Sequence, residues 1–252
     1  MHPDTFYHIA LTQTPLIGSV NAKNLVAYCG GVREVFELKK KDLMSIEGVG
    51  PKIAESIHTG EGLRSAEREM RFLEGTDIRP IFFLNNEYPQ RLLDIYNAPV
   101  LIYFNGSDDR LLQHERIVAV VGTRKPTHNG KQICEQLVEG LKPHNCLIVS
   151  GLAFGIDIVA HKTSVENSMP TIGVLGHGLG RIYDVTEKSA VPDDSLTIRQ
   201  RAIAAWPPTA TKSPNALEPA TPDRLRPPAG FDRRADGWIC GRSVAAASGP
   251  GQ

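Results

Sequence analysis

Val149-Ser150-Gly151-Leu152-Ala153-Phe154-Gly155-Ile156-Asp157-Ile158-Val159-Ala160-His161 reads as the end of a buried strand, a glycine-rich turn and the start of a helix. Gly151 and Gly155 let the backbone turn sharply and approach a ligand, because glycine has no Cβ to penalise positive φ. The first amides of the helix that follows lack intrahelical partners and suit an anion. The chain is predicted to present this turn, with its neighbours, to phosphate.

Working outward, the same pattern recurs on both sides. Ile117-Val118-Ala119-Val120-Val121 is a continuous apolar run ending at Gly122, and Gln132, Ile133, Leu137, Val138 and Leu141 then fall at helical spacing up to Pro143. Leu147-Ile148-Val149 is the second strand and Thr171-Ile172-Gly173-Val174-Leu175 the third, with a helix from Ile156 to Val165 between them. Apolar strands separated by helices predict a parallel α/β sheet with right-handed crossovers. Ligands of such sheets bind beyond the carboxyl ends of the strands. Three glycine-bearing loops should meet there: Gly122-Thr123-Arg124-Lys125, the opening turn, and Gly176-His177-Gly178-Leu179-Gly180-Arg181. Arg124 can fork onto a phosphate, Lys125 and Arg181 add charge, and Thr123 and Ser150 offer hydroxyls.

Residues 1–75 read as a small helical domain. Gly30-Gly31 stops one helix. Leu43-Met44-Ser45-Ile46-Glu47-Gly48-Val49-Gly50-Pro51-Lys52-Ile53 resembles a helix-hairpin-helix motif, and Leu16-Ile17-Gly18-Ser19-Val20 resembles a degenerate copy. Gly48, Gly50 and Lys52 are candidate DNA-phosphate contacts. A hairpin that merely packs is the weightier reading, because the motif is short and its basic support thin. The Lys39-Lys40-Lys41 run reads as a solvated face. Residues 76–116 hold two further strands, around Arg79-Pro80-Ile81-Phe82-Phe83-Leu84 and Ala98-Pro99-Val100-Leu101-Ile102-Tyr103-Phe104.

Residues 185–252 change composition. They hold nine of the 18 prolines and both tryptophans, while isoleucine falls from 16 in the first 184 residues to three. Such a segment cannot bury enough surface to offset chain entropy and is predicted to be disordered, the product of a shifted reading frame or a fusion scar.

Bulk properties narrow the function. The formal net charge is zero, so polyanion binding must come from a local patch. Four scattered cysteines without CxxC spacing give neither a zinc site nor a disulfide framework, and point to a reducing, cytoplasmic setting. No signal peptide or membrane-length apolar run is present. The first turn lacks G-x-G-x-x-G and no P-loop occurs, so neither NAD nor ATP hydrolysis is expected, and no cofactor is expected. Ser150 lacks the G-x-S-x-G frame of a nucleophile. Asp157 and His161, four apart, suggest an acid/base or metal pair. A buried helix cap and a packed histidine are preferred, because no third ligand has metal spacing. Phe154 either stacks on a base or packs under its loop.

These residues resemble the DprA/Smf family of DNA-processing proteins over about residues 5–184. The resemblance rests on Val120-Val121-Gly122-Thr123-Arg124, then Ser150, Gly151, Ala153, Gly155, Ile156, Asp157, Ala160 and His161, then Thr171-Ile172-Gly173-Val174-Leu175-Gly176. It implies a Rossmann-like domain over 76–184 and a SAM-like helical domain before it. It also implies a non-enzymatic role: binding single-stranded DNA during natural transformation, protecting it and helping to load RecA. The phosphate-gripping motifs fall on Gly122, Thr123 and Arg124 and on Ser150, Gly151, Ala153, Gly155, Ile156 and Asp157. The family's later strands, basic segment and homodimer surface are not recognisable after Tyr183. Without them, an exposed sheet edge, a half-covered core, low stability and weak DNA binding are expected. The rivals are a phosphoribohydrolase of the LOG type, whose P-G-G-x-G-T-x-x-E signature is absent, and a nonfunctional remnant.

Overall fold

The computed structural model describes residues 4–106, 108–179 and 202–204 of the 252. Six helices come first: α1 (Thr5–Gln13), α2 (Ser19–Cys29), α3 (Val32–Glu37), α4 (Lys40–Leu43), α5 (Pro51–His58) and α6 (Glu61–Leu73). α2 stops where Gly30 takes the left-handed conformation (φ 81°), and its amide bonds back to the Val26 carbonyl. Pro51 opens α5 behind Gly50, where its missing amide costs nothing. α1 and α6 cross closely because Gly62 has no side chain. A Cβ there would lie 2.4 Å from the Ala10 carbonyl oxygen.

α6 ends at Leu73 and β1 (Ile78–Phe82) begins the sheet. α7 (Gln90–Leu93), β2 (Leu101–Asn105), a 3-10 turn over Asp109–Gln113 and β3 (Ile117–Ala119) follow. Then come α8 (His128–Leu141), β4 (Leu147–Ser150), α9 (Ile156–Glu166) and β5 (Thr171–Leu175), and finally β6 (Ala202–Ala204). The strand order is β1-β2-β6-β5-β4-β3. β3 to β6 run parallel, while β2 is antiparallel to both β1 and β6.

β6 bears on two expectations. The tail 185–252, read from composition as disordered, supplies three residues to the sheet; its other residues lie outside those described. Ala202 aligns with Gly173 of β5 on one side and Asn105 of β2 on the other. The edge of β5, expected to be bare, is therefore paired with β6 over Gly173–Leu175, and β1 and β3 are the free edges among the described strands. Two flanking strands supply the ladder for β6, so a three-residue segment suffices without an apolar period of its own.

Both sheet faces are used. Phe82, Tyr103 and Leu175 pack with Ile9, Leu25, Val35 and Leu43, so the helical block and the sheet share one apolar core. His8 of α1 stacks on Phe82 with ring centres 4.0 Å apart. On the opposite face, Ile102, Phe104, Leu147 and Ile172 pack with Tyr88 and Leu112 from the segment between β1 and β3. α8 and α9 lie together against β4 through Cys134, Val138, Ala160 and Ile148. The sheet steps from β3 to β5 in chain order with both helices on one face, as right-handed crossovers require.

Candidate nucleic-acid interface

The loops after β3, β4 and β5 leave from the carboxyl ends of parallel strands and so share one edge of the sheet. The first two interlock. Gly155 has φ 98°, and a Cβ there would lie 2.1 Å from the Thr123 carbonyl oxygen and 2.7 Å from Arg124 Cα. The Ile156 amide, first in α9, donates to that Thr123 carbonyl at 3.2 Å. Gly122 in turn lies against Ile156, with its Cβ position 2.6 Å from the Ile156 side chain. Gly155 thus lets backbone meet backbone and Gly122 admits the Ile156 side chain, which is why the motif needs them here.

The exposed groups on this edge are Thr123, Arg124, Lys125, Phe154 and Gly176. Lys125 donates its amide to the Thr123 hydroxyl at 3.2 Å, and Thr127 caps α8 by accepting from the Gly130 amide at 3.0 Å. Phe154 is 60% exposed, so it does not pack beneath its loop. Gly122, Gly151, Ala153 and Gly155 are half-buried. Arg181 lies outside the described residues, so the third loop contributes Gly176 and His177 only. The His177 ring bonds the Gly178 carbonyl at 3.0 Å.

Asp157 and Ser150 are buried under these loops rather than displayed on them. The Ser150 hydroxyl, the Ala153 and Gly122 amides and the charge of Arg124 all favour the ionised form of the Asp157 carboxyl. Burial nevertheless outweighs them and holds its pKa above the ordinary carboxylate value. The Ser150 hydroxyl donates its proton to the Val120 carbonyl at 2.7 Å. Sequence spacing misses the burial of this carboxylate beneath the loops. Its one trace is Gly151, where a Cβ would lie 2.6 Å from Asp157 Oδ2.

His161 is fully buried. Its Nε2 lies 3.0 Å from the Gly151 carbonyl oxygen and its Nδ1 2.7 Å from Thr171 Oγ1. A carbonyl only accepts, so Nε2 carries a proton and the ring ties the glycine-bearing turn to β5. This is the packed histidine of the two readings. Burial lowers its pKa below 6.5. The folded state therefore holds this proton less readily than the unfolded chain, and stability falls as pH drops through about 6.5. Thermal melts at pH 7.5 and 5.5 should show a drop that is smaller in His161→Gln; an equal drop in both would count against this assignment.

In the helical block, Gly48 (φ 81°) and Gly50 are exposed on either side of Val49, which is buried at 3%. The Val49 amide bonds the Ile46 carbonyl at 3.0 Å, closing the hairpin, and Lys52 is exposed on the first turn of α5. Lys39, Lys40 and Lys41 are all exposed, and Lys40 pairs with Glu55 across the hairpin. Among the described residues, no group of three His, Cys, Asp or Glu could hold a metal ion. No helix among them is long and apolar enough to cross a membrane.

Comparison with known proteins agrees with this arrangement. A family model described as a helix-hairpin-helix motif matches residues 12–59, which covers both hairpins. The chain is 32% identical to Protein Smf of Synechocystis over 182 residues, which is 70% of this chain and 45% of that protein. It is 42% identical to DNA processing protein DprA of Streptococcus pneumoniae over 105 residues, which is 42% of this chain and 36% of that protein. The chain thus spans less than half the length of these curated relatives. Its fold matches the X-ray structure of DNA processing protein A from Streptococcus pneumoniae with a TM-score of 0.63 at 27% identity, covering 82% of this chain and 69% of that one. A second family model, DNA recombination-mediator protein A, matches residues 79–212 and so runs past residue 184, where the resemblance read from sequence ends, and across β6. That match takes in more than half of the chain, and the protein belongs to the DNA recombination-mediator protein A family.

Proposed function

We propose that this chain is a binding protein for single-stranded DNA that processes DNA without catalysing a reaction on it. The observation that carries the reading is the placement of Arg124, Lys125 and Phe154 together on the exposed strand-end edge. Two cations suit consecutive phosphates, and an exposed aromatic suits an unstacked base, which a duplex does not offer. The candidate acid, base and nucleophile beside them are otherwise placed: Asp157 is buried, His161 is buried and hydrogen-bonded, and Ser150 donates to the Val120 carbonyl. The hairpin at Gly48, Gly50 and Lys52 is a second, weaker phosphate contact. Protection of incoming DNA during transformation, delivery to RecA, a homodimeric state and a cytoplasmic location belong to the same proposal, on the strength of the family.

The test compares oligo-dT with duplex DNA across a salt titration. Single-strand binding should fall linearly in log affinity with log salt, by about 0.7 per phosphate engaged. Phe154→Ala should weaken oligo-dT binding by about tenfold, the value of one base stack, and leave duplex binding nearly unchanged. Equal affinity for duplex, or an equal effect of Phe154→Ala on both, would sink the reading.

A further inference from the structure

The buried ring of His161 is bonded at both nitrogens. Its Nε2 donates to the Gly151 carbonyl at 3.0 Å, and its Nδ1 lies 2.7 Å from Thr171 Oγ1 on β5. Thr171 Oγ1 also donates to the Ile148 carbonyl of β4 at 2.9 Å. Two residues along β5, Gly173 leaves room for the Leu152 side chain. A Cβ there would lie 2.8 Å from Leu152 Cγ. Positions 171 and 173 share one face of β5, because side chains alternate along a strand. The Gly151–Leu152 peptide is therefore held at both ends from one strand, its carbonyl through His161 and the Leu152 side chain against Gly173.

A peptide held by its carbonyl is also aimed by it. In a trans peptide the C=O and N–H point in opposite directions. With the Gly151 carbonyl turned in to His161, the Leu152 amide points away from that ring. No acceptor among the described residues takes its proton. Leu152 is half-buried, where an unbonded amide calls for a partner. We infer that His161 is a positioning residue for DNA: by holding the Gly151 carbonyl inward it turns the Leu152 amide outward as a donor to a phosphate oxygen of the single strand, and it touches no DNA itself. This rests on the single-strand reading and deepens it, adding an uncharged contact beside the cations Arg124 and Lys125.

Loss of an uncharged donor has its own signature. His161→Leu keeps an apolar side chain in the pocket but has no proton for the Gly151 carbonyl, so the peptide is free to turn. Oligo-dT affinity should fall by about tenfold, as for one hydrogen bond to a charged group. The log–log salt slope should stay at the wild-type value, because no cation is lost from the interface. That separates His161 from Arg124, whose removal lowers the slope. His161→Gln keeps a donor at the end of its side chain and should bind within about twofold of wild type. In NMR titrations the Leu152 amide proton should move downfield when oligo-dT is added to wild type or His161→Gln, and should stay in place in His161→Leu.

Unchanged oligo-dT affinity in His161→Leu would overturn the inference. So would a Gln variant as weak as the Leu variant, or a Leu152 amide that stays in place in the wild-type complex. A loss in His161→Leu with a smaller salt slope would also overturn it, because a cation would then be the group displaced. If His161→Leu does not fold, Thr171→Val removes the hydroxyl that orients the ring and keeps the histidine. It should weaken oligo-dT binding at constant slope, and unchanged affinity would count against the brace. If wild-type protein fails to bind oligo-dT, the single-strand reading falls. The Gly151 carbonyl carbon shift in DNA-free wild type and Thr171→Val then decides whether the ring holds the peptide, an unchanged shift meaning that it does not.

Discussion

Gly155→Val should lower the melting temperature by on the order of 10 °C and remove single-strand binding with it. Two costs combine at this residue. Its backbone sits at φ 98°, ψ −132°, a conformation that a branched side chain adopts only with strain of about 1–3 kcal/mol. A Cβ would also meet the Thr123 carbonyl oxygen at 2.1 Å and the Arg124 backbone at 2.7–2.8 Å. These are main-chain atoms, so no side-chain rotation relieves the contact, and overpacking of this kind costs about 1–3 kcal/mol more. A total of about 2–6 kcal/mol is a large part of the stability of an ordinary domain. For a chain of this size each kcal/mol moves the midpoint by about 2–4 °C. The loop bearing Arg124 must retreat, so binding is lost even at temperatures where the fold survives. Gly176→Ala is the matched control on the same edge, because nothing lies within 4 Å of a Cβ there, and its midpoint should stay close to wild type. Circular dichroism melts of the two variants check the pair. A Gly155→Val midpoint within a degree or two of wild type would mean that the two loops do not meet as described.

Gly155 also shows why part of the site can be read from residues alone. A glycine before the apolar start of a helix marks a turn with unusual φ, and the three apolar runs at 117–121, 147–149 and 171–175 mark buried parallel strands. β4 and β5 are indeed buried, whereas β3 lies at the sheet edge with Ile117 and Ala119 exposed, and together the three strands put three loops on one edge. β6 escapes such reading because Ala202-Ile203-Ala204 is too short to carry a period, and its place between β5 and β2 depends on partners far away in the chain. The antiparallel joining of β2 to an otherwise parallel sheet is hidden for the same reason. Asp157 escapes in a subtler way. Its position in the first turn of α9 reads as a cap, whereas its burial beneath the loops follows from β3 lying beside β4 in parallel register, with the Val120 amide on the Val149 carbonyl at 2.9 Å. A helix start shows where a carboxylate is; only the neighbouring strand shows what covers it.

Arg124→Ala should weaken oligo-dT binding by about 10- to 100-fold and reduce the salt slope by about 0.7. With no net charge on the chain, there is no general field to compensate for one lost cation. A charge-assisted hydrogen bond to phosphate contributes about 1.5–3 kcal/mol, and each 1.4 kcal/mol is a factor of ten. The change should touch stability little, because Arg124 is exposed and it is the backbone of its loop, not its side chain, that Gly155 and Ile156 hold. Arg124→Lys separates the two parts of the contact. It keeps the charge and loses the planar fork, so affinity should fall by less than in the alanine variant while the salt slope stays at the wild-type value. The measurement is a salt series of oligo-dT titrations on wild type and both variants. If Arg124→Ala keeps both affinity and slope, the strand does not lie on the β3–β5 edge. The exposed Gly48–Gly50 hairpin with Lys52 then becomes the place to look, and Lys52→Ala should carry the slope change that Arg124→Ala lacks.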